Sequence, residues 1–155
     1  MDILTEMNDE DLMFVIETLN QNIPYNIKDL YYILSAKKCK EALNASSNIS
    51  NRVVPKFYSP RDGLKKNCTV FGITGPTDHT VWFFTLEESL REVKECLENS
   101  KLIRWNEGVL FVTLHKNFTT PILEIIQIHK YNMREHEPAS YFWLPKEKAQ
   151  ALKPQ

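Results

Sequence analysis

The residues able to do chemistry at neutral pH are few: four histidines, three cysteines and carboxylates spread along a chain of 155 residues. His115 is the first candidate. It follows the apolar run Val109-Leu-Phe-Val-Thr-Leu114, beyond the carboxyl end of the strand that run predicts, where open α/β sheets present reactive side chains. Glu107, just ahead of the same run, is a second candidate base. His79 adjoins Asp78, but neighbours on a strand point to opposite faces, so the pair reads as turn polarity. His129 falls on the apolar register of a helix and reads as a core residue, and His136, between Glu135 and Glu137, as surface. Cys39, Cys68 and Cys96 are an odd number without Cys-x-x-Cys spacing, which points to free, inert thiols and to no metal site. The chain has no His-Glu-x-x-His, Gly-x-Ser-x-Gly or phosphate-cradling glycine loop.

These groups must be positioned by the stretch Lys66 to Leu97, on which the rest of the chain is organised. Cys68–Thr74 and Thr80–Leu86 are rich in β-branched and aromatic residues around a Gly75-Pro-Thr-Asp78 turn, so they predict an antiparallel hairpin. Thr85 and Glu88 have the spacing of a capping box, and Leu86, Leu90, Val93 and Leu97 repeat at helical intervals, so a helix is expected over Glu87–Asn99.

Before this unit, Asn8 or Asp9 caps a helix whose apolar face is Leu12, Val15, Ile16 and Leu19. A second helix from Asn26 sets Ile27, Leu30, Tyr31 and Leu34 on one side, with Lys37, Lys38 and Lys40 as a wet face. Asn44–Asn51 is a polar loop, and Val53–Tyr58 a strand that Pro55 assigns to an edge. The unbroken apolar run Val109–Leu114 reads as the central strand, running parallel to Thr80–Leu86, with Val109, Phe111 and Val112 buried. Thr120-Pro121 opens a helix with Ile122, Ile125, Ile126 and His129 in register. Ala139–Leu144 is a last strand, and Pro145–Lys148 a helical turn. The expected order is α-α-β-β-β-α-β-α-β: an α/β mixed sheet with helices packed on it, as one domain.

Composition narrows the function classes. With 43% apolar residues the chain can bury a core, and its formal charge of -1 from scattered basic and acidic residues gives no nucleic-acid footprint. No apolar run approaches the roughly 20 residues of a bilayer span, and the acidic N-terminus is unlike a targeting peptide, so a cytoplasmic chain with no membrane span is expected. The aromatics on the predicted strands, among them Trp82, Phe83, Phe84 and Phe111, read mainly as core.

The element order, with Phe57-Tyr-Ser-Pro-Arg-Asp-Gly63, Thr80-Val-Trp-Phe-Phe-Thr85 and Tyr141-Phe-Trp-Leu-Pro-Lys-Glu-Lys-Ala149, resembles the N-terminal half of glycine N-acyltransferase-like proteins, particularly the insect ones. The resemblance spans most of the chain. It implies a GNAT-like (N-acetyltransferase superfamily) lobe, and a second, catalytic lobe that would begin about where Gln155 ends this chain. By the same resemblance acyl-CoA is the family substrate, an amino-acid amine accepts the acyl group, and a mitochondrial location joins the cytoplasmic one. A working lobe of this kind holds the coenzyme pyrophosphate on a Gln/Arg-x-x-Gly-x-Gly/Ala loop at a helix N-terminus. Here the corresponding residues are Thr85, Leu86, Glu87, Glu88, Ser89 and Leu90, with no glycine and two carboxylates. The expectation is a degenerate lobe without a coenzyme of its own, serving a catalytic lobe or another protein partner. Two alternatives stand beside it. One is an active acyl-CoA-dependent N-acyltransferase with the thioester on strand-edge backbone and His115 or Glu107 as base; the other is a binding module with an aromatic pocket for a small ligand or a protein.

Overall fold

The computed structural model describes residues 1–45 and 54–134. The expected strand Ala139–Leu144, the turn Pro145–Lys148, His136 and most of the polar loop lie outside the described residues. Within them the order is β1 (Leu4–Glu6), α1 (Asp9–Asn20), α2 (Ile27–Ala45), β2 (Lys56–Pro60), α3 (Gly63–Asn67), β3 (Val70–Ile73), β4 (Thr80–Phe84), α4 (Arg91–Asn99), β5 (Leu110–Phe111) and α5 (Thr119–His129). Short 3-10 turns at Trp105–Glu107 and Lys116–Phe118 flank β5.

The five strands form one sheet in the order β1-β2-β3-β4-β5. The first three pairings are antiparallel, and β5 joins β4 in parallel after the α4 crossover, as the helix between them requires. The expected meander of three strands is therefore present as β2-β3-β4. The helix α3 between β2 and β3 was not expected, and three details of the sheet differ from expectation. β1 was not expected: Leu-Thr-Glu has no strand pattern of its own and becomes one only by pairing with β2, Leu4 opposite Pro60. That pairing moves β2 inside the sheet and leaves Pro55 ahead of the strand, so the edge assignment fails. The expected central strand Val109–Leu114 shrinks to the two residues of β5 at the sheet margin, among the described residues, with Val109, Phe111 and Val112 only half-buried. An apolar run cannot reveal how many neighbours a strand has. The central strand is β3, all four residues of which are buried.

Side chains alternate between two covered faces. Phe57, Gly72 and Trp82 are in register on one of them, beneath Tyr32 of α2. A Cβ on Gly72 would lie 2.8 Å from Tyr32 Cε1, so glycine lets Tyr32 lie flat on the sheet and stack on Trp82 at 4.7 Å. On the other face Phe71 packs on Phe83, and Phe83 on Phe118, with Val93, Cys96 and Leu97 of α4 and Ile122 and Ile125 of α5 in the same core. The result is a mixed sheet between two helical layers.

α1 buries Val15 and Leu19 of the expected face, and of the two expected caps it uses Asn8, which forms a capping box with Asp11. α2 turns a different face inward: Asp29, Ile33 and Ala36 are buried, while Tyr31 is exposed. His129 is also exposed, resting on Tyr131, and not a core residue.

Burial sets the chemistry of the cysteines. It pushes the Cys68 thiol up to about 11 and Cys96 up to about 12, the latter helped by Glu92 and Glu95. Neither forms thiolate at pH 8 in the folded chain, whereas Cys39 is half-buried. A thiol reagent at pH 8 is therefore expected to label Cys39 alone, and all three cysteines in denaturant, as read by mass spectrometry.

Candidate functional site

At the first turn of α2, Asp29 is fully buried at 0% exposure, the position least suited to a carboxylate unless both oxygens are satisfied. Trp82 Nε1–H of β4 donates to its Oδ1 at 3.1 Å, and His115 Nε2 meets its Oδ2 at 2.6 Å. Lys28 Nζ lies 4.0 Å from Oδ1 and donates to the carbonyl of Thr113 at 2.5 Å. Burial lowers the Lys28 pKa, and the Asp29 carboxylate opposes that shift. Four side chains from α2, β4 and the β5–α5 connection thus meet at one point.

The site follows from where β5 stops pairing. Val112 N–H still donates to Val81 O, but Thr113 takes a left-handed backbone, φ 51°, and the ladder ends. The chain then runs through His115 into the turn that carries Phe118. Phe118 contacts Phe83 at 5.5 Å and Phe84 at 6.2 Å, rings that belong to opposite sheet faces, so it covers the end of β4. His115 lies against Phe84 and Phe118 with 30% of its side chain exposed.

His115 was legible from its place after the strand; Asp29, Lys28 and Trp82 were not. An aspartate in a first helical turn suits the helix dipole and looks like surface. The signal that could have found it is the spacing Asp29, Tyr32, Ile33, Ala36, a continuous helical face one position away from the face expected. Glu107, the other candidate base, is not at this site: it pairs with Arg104 at the 3-10 turn and is exposed. His79 is buried and structural, with Nδ1 on Thr74 O at 2.7 Å and Nε2 accepting from Arg104 N–H at 3.1 Å. With Nε2 accepting, Nδ1 carries the proton, so His79 is a polar strut of the hairpin turn that the fold buries.

The stretch Thr85–Leu90 is also rearranged. α4 starts at Arg91 and not at Glu87, because Leu90 is left-handed, φ 56°. Thr85 Oγ1 accepts from Glu87 N at 3.0 Å and bonds Thr69 Oγ1 at 2.9 Å. The expected capping box of Thr85 and Glu88 gives way to Glu87, whose carboxylate accepts from Glu92 N–H at 2.9 Å and from Ser89 Oγ–H at 2.9 Å. Leu86 stays exposed. A surface cleft of about 610 Å³ lies nearby, open and rich in acid, bordered by Asp2, Arg61, Asp62, Glu92 and Glu95. Among the described residues no three His, Cys, Asp or Glu side chains converge as metal ligands, and no helix is long and apolar enough to cross a membrane.

A family model described as a domain of unknown function (DUF5645) matches residues 3–125, from β1 into α5 and across both the Asp29–His115 pair and the α4 entry. The chain belongs to that family. A solved structure of a Drosophila protein, a structural-genomics target, is similar to this DUF5645 chain over 83% of its length, with a TM-score of 0.68 and 21% identity. At that identity the likeness is one of fold. The match takes up 46% of the Drosophila chain, so this chain spans about half the length of that protein. No curated protein matches it.

Proposed function

We propose that this DUF5645 chain is a GNAT-like lobe of a glycine N-acyltransferase-like protein that does not hold acyl-CoA itself and acts as the scaffold or partner surface for a catalytic lobe. One observation carries the reading. The carboxylate of Glu87 sits on the N–H of Glu92 at the entry of α4, where a coenzyme pyrophosphate would need free backbone donors. A second anion there would meet a donor already used and a like charge beside it. The mixed sheet, antiparallel from β1 to β4 and parallel between β4 and β5 across α4, supports the GNAT-like part. The greater length of the Drosophila protein supports the companion-lobe part.

Calorimetric titration with acetyl-CoA and benzoyl-CoA tests this, with a Glu87→Gly, Glu88→Gly variant alongside. The expected result for the unmodified chain is no binding heat and no acylation of glycine. Micromolar binding by that chain would overturn the proposal.

A further inference from the structure

The reading above makes no use of the Asp29–His115 pair, yet burying a carboxylate is costly, and apolar residues would fill the space between α2 and β4 at least as well. The pair has the parts of an oriented imidazole. Asp29 is fixed from both oxygens, by Trp82 and by His115. In the neutral tautomer with Nε2–H directed at Asp29, the lone pair lies on Nδ1. Phe84 and Phe118, both buried, pack against the ring from the core side, and the His115 side chain keeps part of its surface in solvent. His129 is the internal contrast: it is exposed, and among the described residues it rests on the Tyr131 ring with no carboxylate hydrogen-bonded to it.

We propose that His115 is a nucleophilic imidazole, oriented by Asp29, that takes an acyl group from small activated esters or thioesters and passes it to water. This chemistry needs no nucleotide coenzyme and is independent of the α4 entry. Nδ1 attacks the carbonyl carbon and forms an N–C bond; the C–O or C–S bond breaks, and the alkoxide or thiolate leaves with the electron pair. The ring becomes an acyl-imidazolium whose Nε2–H faces the Asp29 carboxylate, which compensates the positive charge. Water then adds to the acyl carbon, one of its protons goes to the departed anion, and the N–C bond breaks with its pair returning to Nδ1. The sum is ester plus water to acid plus alcohol or thiol. Asp29 is a positioning residue in this scheme, and Lys28 holds the connection that carries His115 through Thr113 O.

The experiment uses the full chain with p-nitrophenyl acetate at pH 7, following p-nitrophenolate release and trapping the acetyl group by acid quench and peptide mass spectrometry. The acetyl group is expected on His115 ahead of His129 in the same molecules, with a rate about tenfold or more above free imidazole at equal concentration. His115→Gln should abolish the excess rate, and Asp29→Asn should lower it while His115 remains the labelled residue. A small thioester without a nucleotide, S-acetyl-N-acetylcysteamine, should label the same residue, with or without the Glu87→Gly change. The competition between His115 and His129 needs no variant, so it stands even where Asp29→Asn fails to fold. Equal labelling of the two histidines, or a rate no greater than that of free imidazole, overturns the proposal.

Discussion

Replacing Trp82 by alanine is expected to destabilise the chain by about 3–5 kcal/mol, the range for emptying a large aromatic site in a core. Trp82 is fully buried at 0% exposure, stacks on Tyr32 and meets the Phe57 ring edge-on at 6.3 Å. Its loss removes apolar packing and also takes a donor from Asp29, whose Oδ1 would face the new cavity. Both effects act in one direction, so the upper part of the range is expected. Trp82→Phe separates them: it keeps most of the ring packing and loses the Nε1–H, which should cost about 1–3 kcal/mol for an unsatisfied buried acceptor. Urea unfolding reads both, as a lower midpoint with an unchanged slope. If both variants fell within the error of the parent, Trp82 would not be the floor of the site.

The second large effect concerns which strand is central. Phe71 of β3 has 0% exposure and strands on both sides, so Phe71→Ala should cost about 3–5 kcal/mol. Phe111 of β5 is half-buried, resting on Trp105 at the margin of the sheet that the described residues form, and Phe111→Ala should cost about 1–2 kcal/mol, in proportion to the smaller area it removes from water. Sequence pattern alone assigns the larger loss to Phe111. Equal losses in denaturant unfolding would restore β5 to the centre of the core.

Local pattern carried much of the fold because local physics decides it. The hairpin Val70–Phe84 was legible from β-branched and aromatic runs around a turn, and α1 from its cap and the spacing of Val15 and Leu19. The start of α4 was misplaced for a physical reason: both Glu87 and Glu88 stand where a helix welcomes a carboxylate, and only the left-handed Leu90 decides that Glu87 caps from outside. β1 was illegible because three residues acquire strand character only from the partner they meet in space.

For the candidate site the division is sharper. The sequence by itself determined that His115 follows a strand, that Thr85–Leu90 lacks glycine and carries two carboxylates, and that the cysteines have no metal-binding spacing. Only the tertiary structure decided that Asp29, 86 positions away in the chain, is the partner of His115, and that Trp82 holds the carboxylate from the other side. It also decided that Glu107 turns to Arg104 and that His79 is a buried strut. The reason is that periodicity encodes which face of an element is apolar, whereas a buried charge is tolerated only by particular donors brought from other elements, and no local pattern records where those elements cross.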